Sequence, residues 1–509
     1  MCGVIGFYSP SDDGLDDIVT GLFQMQHRGQ DACGIVLSDG HDLRLHRSLG
    51  YVREVFHGRP APEFAGRLGI GHVRYPTQGG NRPENTQPHL DASPGGPALA
   101  LCSNGDVVNY WALRQGLEAR GVAFEGTNDG ELMLRLVATW HRQDGLSIED
   151  ALRKLQVEVK GAYSACLLTV DRLYAFRDPY GIRPMSFGRR DGDWEVASET
   201  VALDINRMDL VDEVKPGEII VFSRDGVERR PHPDVVAARD GRATPAHCVF
   251  EHVYFSRPDA LVYGRYAYDV RKRIGAWLAR HDPITADLVV PVPDSSNAVA
   301  LGYAQASGLP FELGLVRNHY IGRTFIRPEQ SRRDDGVKMK FNPVRHLFEG
   351  RRVVLVDDSI VRGTTTKAKV DQIRAAGVNL NHTGAVSVQS IASQFVGGTS
   401  SIFVRGSSFD ATQSLGQMPL DVREIGCDLL AGTSRKYLRG PRGVGVLYAS
   451  REIVPRLEPP LLDLRAADWV SRDEYRVRPD AQRFETWEVS HAARIAFGVA
   501  VDYALGWGV

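Results

Sequence analysis

Through roughly the first 225 residues the chain is broken into short apolar runs bounded by Gly, Asp and Pro. Residues 4–7, 34–37, 98–101, 163–170, 173–176 and 218–222 are apolar or β-branched over strand length. Residues 16–25, 109–120 and 130–141 instead repeat apolar positions at helical spacing. Short strands interleaved with helices predict a layered α+β domain. Residues 229–245, rich in Pro, Arg and Ala, have no period and read as a linker. Beyond them the pattern changes: 267–281 is helical, while 286–290 and 351–357 read as buried strands. The second of these runs into a Gly/Thr loop and a helix over 365–376 capped by Gly377. Strand, loop and helix in alternation predict a mostly parallel sheet.

Length agrees with several cores, since 509 residues at roughly 150 per domain make about three domains. The charge balance, 61 Lys+Arg against 63 Asp+Glu for a net −2, gives no reason to expect a nucleic-acid or membrane partner. No run of about 18 apolar residues occurs, and Met1-Cys2-Gly3-Val4 does not open a signal peptide, so a cytoplasmic location is expected. The cysteines at 2, 33, 102, 166, 248 and 427 form no CxxC pair, so neither a disulfide framework nor a zinc site is expected.

Cys2 stands apart. Removal of Met1 would leave a thiol and an α-amino group on one residue, and an amine with pKa of about 8 is a built-in general base for that thiol. Alone, a cysteine at position 2 is more simply read as chance. Three polar clusters add to it: Gly71-His72-Val73-Arg74-Tyr75, with a guanidinium able to hold a carboxylate; Ser103-Asn104-Gly105-Asp106, with an amide and a main-chain N–H suited to an oxyanion; and Asn128-Asp129-Gly130-Glu131, with carboxylates at a helix start. A surface ion pair would explain Arg74 by itself and a β-turn Asn104-Gly105. Their joint order behind Cys2 fits a site for glutamine.

These clusters, with Gln26-His27-Arg28-Gly29-Gln30-Asp31, Val159-Lys160-Gly161-Ala162-Tyr163, Arg177-Asp178-Pro179, Gly181-Ile182-Arg183-Pro184 and Ala197-Ser198-Glu199-Thr200, resemble the glutamine phosphoribosylpyrophosphate amidotransferases of purine synthesis. The resemblance implies that Cys2 attacks the glutamine carboxamide, that Asn104 and Gly105 stabilise the oxyanion, and that Arg74 and Asp129 grip the α-carboxylate and α-amino group. Cys102-Ser103 departs from the Ala-His often written before the oxyanion turn.

In the second region, residues 353–365 bring two carboxylates, Asp357 and Asp358, to the end of a buried strand, followed by Ser359, Arg362, Gly363, Thr364 and Thr365 at a helix start. Adjacent carboxylates there suit ribose hydroxyls and Mg²⁺, and the loop suits a 5-phosphate. A solvated acidic turn is the bland alternative. Val292-Pro293-Asp294-Ser295-Ser296 resembles the pyrophosphate loop of type I phosphoribosyltransferases, which adds Ser295 to Asp357 and Asp358 as an Mg²⁺ ligand. The segment from Asn318 through Arg323 to Ile326, with Arg332 and residues 338–340, resembles the lid that closes over pyrophosphate. Such a lid would keep water from the oxocarbenium-like ribosyl centre. Phe250-Glu251-His252-Val253-Tyr254-Phe255-Ser256-Arg257-Pro258 matches the segment joining the two halves in that family, which implies internal transfer of ammonia.

After Gly377 the resemblance ends. Cys248 sits where a first cluster cysteine occurs in some members, but its partners are missing and no iron–sulfur cluster is expected. From about residue 384 onward, Ser408-Phe409-Asp410 to Gln417, Gly426-Cys427-Asp428 and Gly432 to Gly443 resemble class V aminotransferases. There Lys436 would be the Schiff-base lysine, Asp410 the partner of the pyridinium nitrogen and Gln413 a contact to the phenolic oxygen. The earlier part of such an enzyme, which stacks on the ring and completes the phosphate cup, has no counterpart, so pyridoxal phosphate is not expected to bind.

The expected architecture is an α+β N-terminal-nucleophile hydrolase sandwich over 1–235, an α/β type I phosphoribosyltransferase parallel sheet over 246–380, and an incomplete α/β fold-type I aminotransferase fragment over 384–509. The expected activity makes 5-phosphoribosylamine, glutamate and pyrophosphate from glutamine and phosphoribosylpyrophosphate with Mg²⁺, in a homo-oligomer open to purine nucleotide feedback. The competing readings are a glutaminase fusion with an altered acceptor or a pyridoxal-phosphate-linked role, and an inactive chimera.

Overall fold

The computed structural model describes residues 2–11, 13–58, 60–61, 63–75, 80–92, 97–231, 245–281, 283–318 and 341–357, and then 373, 375–377, 386–387, 408–410, 415–416, 421–422, 429–435, 438–441, 443–457, 459, 466–471, 474–485 and 490–506. It divides into two compact units, Met1–Val270 and Arg271–Val509.

The first unit is built on two antiparallel sheets. β1 (Gly3–Tyr8), β2 (Ala32–Ser38), β3 (Leu43–Leu49) and β4 (Leu68–Arg74) join later strands in one of them, and β5 (His89–Asp91) and β6 (Leu99–Val107) begin the other. The chain continues through β7 (Gly161–Leu168) and β8 (Leu173–Arg177) in the second sheet, β9 (Ser186–Arg190), β10 (Asp193–Ala197) and β11 (Asp209–Glu213) in the first, and β12 (Ile219–Ser223) and β13 (Gly226–Arg230) in the second. The strand orders are β11-β9-β10-β1-β4-β2-β3 and β13-β12-β8-β7-β6-β5. Val4, Val36 and Ile70 of one sheet pack on Ala100, Cys166, Ala175 and Ile220 of the other. The outer face of the first sheet is covered by α1 (Leu15–Gln24), α2 (Val52–Val55) and α6 (Thr200–Ile205); that of the second by α3 (Tyr110–Glu118), α4 (Asp129–Arg142) and α5 (Ile148–Glu158). A helix–sheet–sheet–helix sandwich results, because each sheet has two apolar faces and must cover both.

The six strands and three helices expected here all form. Missing from the expectation were β4, β5, β9 and β10, the more polar edge strands β3, β11 and β13, the short helices α2 and α6, and α5, whose Ser147 N-cap accepts from Asp150 N at 3.0 Å. Arg229 and Arg230, read as linker, close β13 against β12. The segment after the linker lies on this unit. It forms the hairpin β14 (Leu261–Val262) and β15 (Arg265–Tyr266), and Leu261 N donates to Thr200 Oγ1 at 2.9 Å.

The second unit takes in most of α7 (Ala267–His281), then β16 (Leu288–Pro291), α8 (Asn297–Ser307), β17 (Leu315–Arg317), β18 (Phe341–Pro343) and β19 (Val353–Asp357). β19 pairs in parallel with β16 on one side and with β20 (Val386–Ser387) on the other. β20 therefore lies next to the carboxyl end of β19. A Cβ on Gly302 would lie 2.0 Å from the Lys272 carbonyl oxygen, so α7 and α8 approach there only because Gly302 has none. Farther on, β21 (Ser408–Asp410), β22 (Leu429–Thr433) and β23 (Gly445–Ala449) form a small mixed sheet, and α9 (His491–Gly506) closes the described chain.

Candidate active site

Cys2 directly precedes β1, an inner strand paired with both β4 and β10, and is buried. β4 ends at Arg74, and β6 carries Asn104 and Gly105 opposite Ser164 and Tyr163 of β7. Asp129 is the first residue of α4, behind an N-cap in which Asn128 Oδ1 accepts from Gly130 N at 2.8 Å. Cys2, Arg74, Gly105 and Asp129 thereby line one cavity of about 20 Å³, shared with Tyr75, Gln87, Ser103 and Asn128.

Cys2 N donates to Asn104 Oδ1 at 3.1 Å, while Asn104 Nδ2 is buried without a hydrogen-bond partner. A buried donor left open is costly unless an incoming group takes it. On Gly105 a Cβ would fall 2.3 Å from the Ala162 carbonyl oxygen, so no other residue fits at this point of β6. The Cys2 thiol meets the Tyr75 carbonyl oxygen at 3.8 Å. Burial alone would raise that thiol, but positive charge and hydrogen bonding from the His72 ring, the terminal ammonium and the Tyr75 main chain bring it down to about 6. Cys33, by contrast, is pushed up to about 12, first by burial and then by Glu54, and burial also lifts Cys102 and Cys166. Only a thiolate is a strong nucleophile, so Cys2 is the one of these four thiols set for attack near neutral pH.

Asp129 accepts from Val107 N at 3.1 Å through Oδ2 and leaves Oδ1 buried and unpartnered. Burial and the neighbouring Asp106 charge push it up to about 7, the behaviour of a carboxylate waiting for a cation. Arg74 is 1% exposed. It supplies the fixed positive charge of the pocket.

Beneath the nucleophile lies an ion network that the sequence reading did not assign. Arg28 Nε donates to the Cys2 carbonyl oxygen at 2.9 Å, and its other nitrogens pair with Glu199 and with Glu251, the latter at 2.7 and 3.0 Å. All three side chains are fully buried. Burial would raise Glu199, but the charges of His27 and Arg28 outweigh it and hold this carboxyl at about 2. Both Arg28 and Glu199 stood inside motifs quoted above. Gln26, His27, Gln30 and Asp31 around Arg28 gave no local signal that it is buried.

In the second unit, Asp357 ends β19 and is buried, and Ser295 follows β16 in the loop at the same carboxyl edge of the sheet. Val292 N donates to Val356 O at 2.8 Å and fixes the start of that loop. Asp294 pairs with Arg317 at 2.5 Å. Arg323, Asp358, Ser359, Arg362, Gly363, Thr364 and Thr365 lie outside the described residues. Of the three groups expected around pyridoxal phosphate, only Asp410 is described, at the end of β21. Gln413 and Lys436 lie outside the described residues.

The Methanothermobacter thermautotrophicus amidophosphoribosyltransferase is 43% identical over 383 residues, covering 75% of this chain and 79% of that protein. The chain belongs to the amidophosphoribosyltransferase family. A glutamine amidotransferase domain model matches residues 76–204, and an aminotransferase class-V model matches 401–509. Two solved structures agree. The allosteric regulatory enzyme of purine biosynthesis has a TM-score of 0.69 and 38% identity over 76% of this chain and 80% of its own. The B. subtilis glutamine phosphoribosylpyrophosphate amidotransferase complexed with ADP and GMP has a TM-score of 0.67 and 39% identity over 74% and 80%. For this amidophosphoribosyltransferase-family chain the sandwich is an N-terminal-nucleophile hydrolase domain, and the parallel sheet of the second unit belongs to a phosphoribosyltransferase domain.

Proposed function

We propose that Cys2 hydrolyses glutamine to glutamate and ammonia, and that the ammonia displaces pyrophosphate from C1 of phosphoribosylpyrophosphate at the β16–β19 edge to give 5-phosphoribosylamine, in purine synthesis. The observation that carries this reading is the Cys2–Asn104 link, which sets the nucleophile beside an amide N–H left open to the cavity. Once Met1 is removed, the nitrogen held by Asn104 is the α-amine, placed to take and return protons at the thiol. The substrate carboxylate meets Arg74 and its ammonium meets Asp129. As the thiolate adds to the carboxamide carbon, the developing oxyanion takes up Asn104 Nδ2 and the Gly105 N–H. Its collapse expels ammonia, and water then releases glutamate from the thioester.

Asp357 and the Ser295 hydroxyl are hard oxygen donors, the chemistry Mg²⁺ selects. Because Mg²⁺ keeps several waters and leans on substrate phosphates, one or two protein carboxylates suffice. Asp357, Ser295 and the adjacent Asp358 would hold it, and when bound it would neutralise charge on the departing pyrophosphate. Asp357 and Asp358 would also orient the ribose hydroxyls, with residues 359–365 around the 5-phosphate and Arg323 over the pyrophosphate. Purine nucleotides as feedback ligands are supported by the ADP and GMP complex of the B. subtilis relative. A homo-oligomer in the cytoplasm completes the proposal. Among the described residues no helix is long and apolar enough to cross a membrane.

The test compares nitrogen donors in Cys2→Ala. Glutamine-dependent pyrophosphate release should vanish while ammonium-dependent release persists, and intact mass of the parent protein should show Met1 removed. Retained glutamine use would overturn the assignment.

A further inference from the structure

We propose that Gln87 is a positioning residue for glutamine cleavage, its side-chain amide standing in for a missing strand to hold the oxyanion turn in register. The inference rests on the reading of Cys2 and Asn104 given above. Gln87 lies two residues before β5 and is 3% exposed. β5 pairs with β6 only from Asp91↔Leu99 to His89↔Leu101. Continuing that register by two residues sets Gln87 opposite Ser103, just where the ladder has stopped. There the side chain supplies what main chain does elsewhere. Ser103 N donates to Gln87 Oε1 at 2.7 Å, and Gln87 Nε2 donates to Ser103 O at 3.3 Å. His72 Nε2 lies 3.2 Å from the same carbonyl oxygen.

The next residue is Asn104. Both main-chain polar groups of Ser103 are therefore fixed immediately before the amide that receives the oxyanion, its hydroxyl also donates to Gln87 Oε1 at 3.5 Å, and the carbonyl carbon of Ser103 belongs to the peptide that orients Asn104. The same side chain also meets the start of α4, where a Cβ on Gly130 would fall 2.5 Å from Gln87 Oε1. One amide thus sets the spacing between the oxyanion turn and Asp129. Gln87 lines the glutamine cavity, but its carboxamide is spent on Ser103. Positioning, which alters the transition state more than ground-state binding, should appear in kcat rather than KM.

The experiment uses the full chain with phosphoribosylpyrophosphate and compares Gln87→Ala, Gln87→Glu and Cys2→Ala. Gln87→Glu keeps the volume and the acceptor for Ser103 N but loses the donor to Ser103 O, and it serves if Gln87→Ala does not fold. In Gln87→Ala the glutamine-dependent kcat should fall about 10- to 100-fold, the scale of a displaced rather than a lost oxyanion donor, with glutamine KM and the ammonium-dependent rate unchanged. Gln87→Glu should lie between Gln87→Ala and the parent. An unchanged kcat, a raised KM with kcat kept, or a parallel fall of both nitrogen-donor rates in Gln87→Glu overturns the inference. Glutamine use surviving in Cys2→Ala would instead overturn the underlying site, whatever Gln87 does.

Discussion

The main-chain nitrogen of Cys2 and the side-chain oxygen of Asn104, 102 residues apart, share a 3.1 Å hydrogen bond. With Oδ1 committed to that bond, Nδ2 is the end of the Asn104 amide free to face the cavity. The proposed nucleophile and the proposed oxyanion donor are thus placed by one contact between β6 and the residue that precedes β1, these being strands of the two facing sheets.

The environment of Cys2 sets its pH response. With the thiol at about 6, alkylation by iodoacetamide should be half-maximal near that pH and should decline below it as the thiolate protonates. His72→Gln removes the ring that lowers the thiol and should move the midpoint up toward the ordinary thiol range. A midpoint unmoved by this change would show that the His72 ring has no hold on the thiolate.

To receive the substrate ammonium as proposed, Asp129 must be ionised, and its carboxyl sits at about 7. Glutamine KM should therefore fall as pH rises through that value. Asp129→Asn should raise KM about 10- to 100-fold, the loss of a charge-assisted contact of about 1.5–3 kcal/mol. The same change also removes a carboxylate whose ionisation burial opposes. Its unfolding temperature at neutral pH should be no lower than that of the parent, which calorimetry would read.

Arg28→Leu should be severe, because it leaves Glu199 and Glu251 buried without their cation, at a cost of about 3–5 kcal/mol. Glu199 sits at about 2 against an ordinary 4.5. It contributes stability that is fully present above its ordinary value and is lost as pH falls toward about 2. Acid titrations followed by circular dichroism should show this loss in the parent; in Arg28→Leu the deficit should already be present at neutral pH. Arg28→Lys keeps the charge without the two-pronged geometry and should lie between them.

Asp357→Asn combined with Asp358→Asn removes both carboxylates from the end of β19. Pyrophosphate release should fall by orders of magnitude with glutamine and with ammonium alike, while glutamine hydrolysis at Cys2 keeps its chemistry. A near-parental rate would reduce the pair to a solvated turn.

Local pattern and composition carried much of this far in advance. The runs expected at 4–7, 163–170 and 351–357 form strands at Gly3–Tyr8, Gly161–Leu168 and Val353–Asp357, because continuous apolar stretches of that length must be covered on both faces. Cys2, Arg74, Asn104 and Asp129 were legible as chemistry because their residue types, in that order, have one economical joint use. Three things were decided only in space. Edge strands such as β13 carry too few apolar residues to signal themselves, and form because a neighbouring strand offers unpaired main chain. Arg28 could not be told from a surface arginine until Glu199 and Glu251, 171 and 223 residues away, closed around it. Gln87 had no sequence signature at all, since its role depends on where β5 stops pairing with β6, and the end of a ladder is a property of two strands together.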